Sequence, residues 1–403
     1  MNVLVIGGGA SGMMAAVTAA ENGARVTLLE KKEQLGKKIL ITGNGKCNYG
    51  NLLTGPSDYR GHDRNLARSV LRAFPVEKSI DWFEASGMLS MSRREYLYPA
   101  SQNAATVVTI FKRRLKEAGV EVVTDCYVSK VLEDGGIFRA VTSRGEYSAD
   151  RLILACGSEA GVSDERAFNA YGFLSSFGHY VYPALPALVP LLSDSGMENT
   201  WDGVRVIASV AYRENREEGE VQLTKKGISG IPVFQLSRYV AEDLRLRPVF
   251  VTIDFLPNYE EEALTGYLKE IRSLKRGEQD GYEVLTGWLP KKLAEAFSRT
   301  SPELFRKKVS EYSDNDAETL VRLVKDFRLR ITGTEDMKNA QTITGGADTT
   351  EFSAKMESLL VPGLYVTGEL LDVDGRCGGY NLHFAFATGY IAGMSAAEAV
   401  TKG

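Results

Sequence analysis

The sequence is poor in the residues that build metal centres and disulfide frameworks. Its 403 residues hold four cysteines, Cys47, Cys126, Cys156 and Cys377, and three histidines, His62, His179 and His383. The cysteines lie far apart with no C-x-x-C pair, which fits a reducing cytosol and argues against zinc and cross-links. The histidines are equally scattered, so no metal is expected. Basic residues are not in excess: 48 Lys and Arg stand against 52 Asp and Glu, a net charge of −4. Nucleic acid is therefore not an expected partner. No secretory leader with a basic n-region is visible, and a soluble, cytoplasmic protein is expected. One stretch, Tyr380–Ala397, has no Asp, Glu, Lys or Arg and carries a small-xxx-small pattern at Gly389 and Gly393. Membrane-spanning helices use that pattern, yet Asn381, His383 and the many small residues favour a helix buried against a sheet, with no membrane span.

The positive signal starts at the third residue. Val3–Ile6 is a short β-branched strand, and Gly7, Gly9 and Gly12 follow in a G-x-G-x-x-G turn that opens an Ala-rich helix over 13–22. Arg25–Leu29 forms a second strand ending at Glu30, eighteen positions beyond Gly12. Strand, turn, helix, strand and acid in this order are the fingerprint of a dinucleotide held by its ADP half. Gly7 permits the tight turn, Gly9 lets the pyrophosphate approach the backbone, and Gly12 allows close helix–strand packing. The free N–H groups of Ala10, Ser11 and Gly12 face the phosphates. Glu30 takes the ribose hydroxyls and disfavours a 2′-phosphate, which points to FAD or NAD.

Helical patterns follow over 65–74, 76–86 and 103–118, and strand patterns over 120–123 and 127–132, with Gly135 and Gly136 as a turn. Residues 148–157 read as one strand ending at Gly157. Pro183, Pro186 and Pro190 mark a change of organisation. Strands are expected over 204–213 and 248–256, and helices from Glu260 to about Lys325. The predicted fold is α/β. A discontinuous Rossmann-like FAD-binding domain (1–185 and 330–403) carries an inserted antiparallel β subdomain (186–257) and a helical cap (258–329).

Two further glycine-terminated strands select FAD over NAD. Residues 150–157 are similar to the A-T-G strand of two-dinucleotide flavoproteins, and 363–374 to their late G-D strand. The loop Gly36–Asn48, the segment Tyr98–Ser101, Ile343–Ala347, and Gly368–Gly375 with Gly378–Asn381 then resemble the aminoacetone-oxidase-like flavoprotein family. That family includes flavoenzymes that reduce conjugated double bonds of 3-oxo bile acids. The resemblance runs almost end to end and is weakest over 190–330. It implies a three-part protein with non-covalent FAD and a small-molecule substrate.

The expected cofactor contacts are Gly7, Gly9, Ala10, Ser11, Gly12, Glu30, Lys31, Thr42, Gly43, Asn48, Val128, Ala155, Cys156, Gly157, Gly368, Glu369 and Asp374. Lys37 or Lys38 neutralises phosphate charge, unless the pair is only a solvated basic loop. Gly379, Tyr380, Asn381 and Leu382 open the last helix, whose N-terminus favours negative charge on the flavin edge. Tyr380, Tyr98, His383 and Cys47 are the candidates for proton donor or orienting group, Cys47 on the expectation that Lys46 lowers its thiol pKa. His383 is expected in the core, and Arg376 on the surface. No second G-x-G-x-x-G occurs, so a separate NAD(P)H domain is missing, and reducing equivalents must come from a nicotinamide docking transiently over the flavin, from another protein or from the substrate itself. Enone reduction with NAD(P)H is the first expectation. Oxidation of a small amine such as aminoacetone, with oxygen as acceptor and peroxide as product, is the alternative.

Overall fold

A computed structural model of the chain describes residues 1–161, 170–273 and 278–398. It divides into two compact units, one formed by 1–184 with 342–403 and the other by 185–341.

The first unit is built on a parallel sheet in the order Leu364–Val366, Arg151–Leu154, β1 (Asn2–Ile6), β2 (Arg25–Leu29) and Glu121–Val123. β1 is central: Val5 faces Ile153 on one side and Leu28 on the other. Strands covered on both faces must be apolar throughout, and Val3, Leu4, Val5 and Ile6 are all buried. Helix α1 (Ala10–Glu21) packs along the C-terminal helix Tyr380–Ala397. The glycines of the small-residue pattern set this approach. A Cβ on Gly389 would meet the Ser11 carbonyl oxygen at 2.3 Å, and one on Gly393 the Ala15 carbonyl oxygen at 2.5 Å. The uncharged stretch is therefore an internal helix, and among the described residues no helix is long and apolar enough to cross a membrane.

The strand expected over 148–157 is two strands. Gly145–Ala149 closes an antiparallel meander with Val128–Asp134 and Ile137–Thr142. The chain then turns at Asp150 and enters the parallel sheet at Arg151.

The second unit is a closed six-stranded barrel: Leu191–Ser193, Gly227–Ser229, Asn215–Thr224, Arg205–Tyr212, Val249–Asp254 and Phe327–Thr334. The last strand pairs with both Val249–Asp254 and Leu191–Ser193, so it completes the barrel. This corrects the expected boundaries. The helical segment lies between the fifth and sixth barrel strands in sequence, and the unit extends to Gln341 rather than ending at 329. The expected β part also contains a helix, Ile231–Leu244, whose inner face is buried. Within the helical part, Asp280 and Ser313 close capping boxes that begin Gly281–Trp288 and Asp314–Lys325.

Candidate functional site

The corner between β1, α1 and β2 has the shape of a phosphate cradle. A Cβ on Gly7 (φ +110°) would meet the Ala155 carbonyl oxygen at 2.4 Å, and one on Gly12 would meet the Gly7 carbonyl oxygen at 1.8 Å. Both glycines are fixed by backbone packing. Gly9 differs, because a Cβ there would meet nothing within 4 Å. It caps α1 in extended backbone without a side-chain cap, and Met13 makes the first i→i−4 bond back to it. The N–H groups of Ala10, Ser11 and Gly12 thus have no acceptor inside the helix, and the space beside the Gly9 α-carbon is open.

Glu30 stands beside this corner. Its carboxylate accepts the Gly8 N–H at 2.6 Å and the Lys32 N–H at 2.8 Å, which fixes it at the end of β2. Gly8 is a residue that sequence reasoning passed over: a Cβ there would strike Leu35 at 2.3 Å and the Glu30 carboxylate at 3.0 Å. Lys31 is half-buried next to it. An open cradle at a helix start, with a carboxylate at the adjacent strand end, fits the ADP half of FAD.

Some of the other expected cofactor residues approach this corner. Ala155 and Cys156 pack on Gly7, and the Cys156 thiol points at the Ile6 carbonyl at 3.4 Å. Gly157 follows in left-handed backbone, and Val128 starts the meander, buried. Gly368 abuts Ser11, its N–H bonded to Thr388 in the C-terminal helix. Lys38 forms a 2.7 Å ion pair with Glu369, whereas Lys37 is exposed and paired with Glu33. Of the two lysines, Lys38 is the one tied to the loop that carries Gly368 and Glu369.

The second cluster surrounds the start of the C-terminal helix. Gly379 caps it with φ +95° and no side-chain bond, leaving the N–H groups of Tyr380, Asn381 and Leu382 without intrahelical acceptors. The Asn381 side chain locks the preceding loop by exchanging two hydrogen bonds with the Gly375 peptide. Asn48, at the end of the Thr42–Asn48 loop, lies against Gly379. Thr42 donates to the Ile39 carbonyl at 2.6 Å, and Gly43 sits 3.7 Å from the Tyr98 ring by its Cβ position. Tyr98 therefore belongs to this cluster, together with Tyr96, which packs on Gly378.

Tyr59, which carried no sequence signal, donates its hydroxyl to the Tyr380 carbonyl at 2.9 Å and meets the Tyr380 ring edge-on. It precedes Arg60 in a two-residue strand paired with Asp374 and Gly375. Burial pushes the Tyr380 phenol up to about 12 and raises that of Tyr98. These hydroxyls therefore keep their protons at neutral pH.

Cys47 departs from expectation. It is fully buried, and burial pushes its thiol up to about 12, opposite to the lowering expected from Lys46. A charge on a neighbouring solvated lysine does not offset the loss of water around a thiolate. Cys47 is a core residue with φ +58°. His383 is buried as expected, its Nδ1 2.9 Å from Ser79 Oγ, with its pKa lowered to about 4 by desolvation. Arg376 is half-buried rather than exposed.

The profile of the HI0933-like protein Rossmann domain family matches residues 1–395. The chain belongs to this family. Its fold is the FAD-binding Rossmann type, and it is an FAD-dependent oxidoreductase. It is 40% identical to the 3-dehydro-bile acid delta(4,6)-reductase of Clostridium scindens, over 98% of both chains. It is 28% identical to the ribosomal RNA dihydrouridine synthase of Escherichia coli, over 96% of both. Among solved structures, the 3-ketosteroid delta1-dehydrogenase of Sterolibacterium denitrificans in complex with 1,4-androstadiene-3,17-dione superposes with a TM-score of 0.54 at 13% identity. That match covers 98% of this chain and 99% of the other, and it speaks to fold alone.

Proposed function

We propose that this oxidoreductase reduces the conjugated C=C bond of a hydrophobic enone of the 3-oxo steroid or bile-acid type, with NAD(P)H as electron donor. The observation that carries the reading is the 40% identity, along nearly the whole length, to a bile-acid delta(4,6)-reductase. The lack of a second G-x-G-x-x-G supports a nicotinamide that docks only transiently.

When bound, FAD supplies the hydride chemistry, and the protein positions it and sets its electrostatics. In this reading Gly9, Ala10, Ser11 and Gly12 hold the pyrophosphate, Glu30 holds the adenosine ribose, and Lys38 with Glu369 borders the phosphates. Val128, Ala155, Cys156, Gly157, Gly368 and Asp374 line the cofactor. The backbone of Gly379–Leu382 stabilises negative charge at the flavin edge. Tyr380 and Tyr98 donate hydrogen bonds to the substrate carbonyl, a role for which a protonated phenol is suited. Polarising that carbonyl makes the β-carbon of the enone electrophilic.

The same chemistry extends to the 28% identical relative, because making dihydrouridine saturates a C=C bond conjugated to a carbonyl. The net charge of −4 favours the smaller substrate here.

The test is anaerobic mixing of the yellow holoenzyme with NADH or NADPH, followed by a 3-oxo-Δ4 steroid acid. Bleaching by a nicotinamide and return of the colour with the enone are expected. Bleaching by aminoacetone alone, with peroxide formed on admission of air, would replace this reading with an amine oxidase. Colour restored by a uridine-containing RNA fragment but not by the enone would move the substrate to nucleic acid.

A further inference from the structure

Asp372 is buried inside the loop between Gly368 and Gly375, with an unusual set of partners. One carboxylate oxygen, Oδ2, accepts the backbone N–H of His62 at 2.7 Å and faces the Nδ1 of the same residue at 2.8 Å. The other oxygen, Oδ1, is buried without a hydrogen-bond partner among the described residues. A buried carboxylate costs several kcal/mol unless its charge is matched, and the partners of Oδ2 among the described residues both belong to His62.

His62 itself is exposed. Its ring lies flat on Tyr182, centroids 3.6 Å apart and planes 4° from parallel, and Asp348 lies beside that tyrosine. Two contacts to Asp372 and one stack fix the imidazole in position, while Nε2 has no hydrogen-bond partner among the described residues. This is the arrangement of an oriented acid–base histidine: a carboxylate on Nδ1 sets the tautomer, and the other nitrogen faces outward.

The pair also sits next to the candidate site. Tyr59, three residues before His62, bonds to the Tyr380 carbonyl. His62 therefore lies within roughly 10 Å of Tyr59 by chain length. Asp372 is two residues from Asp374, which pairs with Arg60.

We propose that His62 is the group that moves the substrate proton in this oxidoreductase, with Asp372 as its positioning residue. The inference rests on the reductase reading above. As the β-carbon receives hydride, the C=C π electrons shift to the α-carbon and form a new C–H bond with the proton on His62 Nε2. The imidazolium becomes neutral imidazole, its remaining proton on Nδ1 shared with Asp372, and water restores the proton on Nε2. Tyr380 and Tyr98 keep their protons throughout.

The test compares wild type, H62Q and D372N holoenzymes. In H62Q, reoxidation of reduced enzyme by a 3-oxo-Δ4 steroid acid should fall about a hundredfold further than bleaching by nicotinamide does. A second readout is independent of turnover. In 15N spectra of the imidazoles, neutral His62 should carry its proton on Nδ1 in wild type and lose that preference in D372N. Equal reoxidation in wild type and H62Q, or an unchanged tautomer in D372N, would overturn the proposal. If no enone reoxidises even the wild type, the reductase reading fails and the dyad is judged by deuterium exchange. Solvent deuterium should then enter the α-carbon of the saturated 3-oxo steroid in wild type and about a hundredfold more slowly in H62Q. Exchange absent in wild type, or equal in both, would refute the dyad.

Discussion

Replacing Gly9 by alanine separates the fold from the cofactor site. Gly9 has φ −81° and ψ −165°, backbone that any L-residue adopts, and its Cβ would touch nothing within 4 Å. Alanine is a poorer helix cap than glycine by a few tenths to about 1 kcal/mol. It also reduces the freedom of the unfolded chain, which returns about 0.4–1 kcal/mol. The two nearly cancel, so apo-G9A should unfold within about 2 °C of wild type. The new methyl, however, stands where the pyrophosphate must approach the N–H groups of Ala10, Ser11 and Gly12. Displacing two charge-assisted hydrogen bonds at about 1.5–3 kcal/mol each weakens FAD binding by at least roughly a hundredfold. Gly12→Ala is the contrast. Its Cβ would lie 1.8 Å from the Gly7 carbonyl oxygen, so stability and binding should fall together, by about 1–3 kcal/mol or more in stability. Thermal unfolding of the apoproteins and titration with FAD by fluorescence quenching measure both quantities. G9A binding FAD with wild-type affinity would refute the assignment of this corner to the phosphates.

Further substitutions probe separate parts of the molecule. Glu30→Gln turns an amide NH2 towards the Gly8 or Lys32 N–H, and FAD affinity should drop about tenfold; an unchanged Kd would remove Glu30 from the site. The folded pKa of His383, about 4, lies below its usual 6.5. The buried neutral ring therefore stabilises the fold above pH 6.5, and that contribution disappears as pH falls through about 4, at most about 3 kcal/mol. H383Q should flatten this acid limb in urea titrations, and an equally steep limb would contradict the assignment. Gly389→Val should destabilise by about 3 kcal/mol or more through the Ser11 backbone, read as a lower Tm. Cys47, its thiol pushed up to about 12, should resist iodoacetamide in the native protein near neutral pH and react only on unfolding; rapid native alkylation would show that it is exposed.

The glycine-rich corner between β1 and α1 was legible in the sequence because each glycine there answers one steric demand. Gly7 and Gly12 collide with neighbouring backbone if given a Cβ, while Gly9 borders open space. The C-terminal helix was equally readable, its missing charges reflecting burial against α1. The strand over 148–157 misled because Ser148–Ala149 and Arg151–Leu154 are continuous in pattern yet belong to different sheets. The sixth barrel strand, Phe327–Thr334, alternates inward Leu329 and Ile331 with outward Arg328 and Arg330. That period of two was hidden behind the preceding helices. Cys47 failed because a flanking lysine says nothing about burial. Tyr59, His62 and Asp372 come together only through a two-residue strand and a loop, too short to leave any periodicity.

The most direct measurement is the product formed when fully reduced holoenzyme meets a 3-oxo-Δ4 steroid acid under argon in deuterated water. The flavin colour should return as the steroid gains two hydrogens across its double bond, with solvent deuterium at the α-carbon. Recovery of unaltered steroid and a flavin that stays bleached until air enters would contradict the proposed reaction.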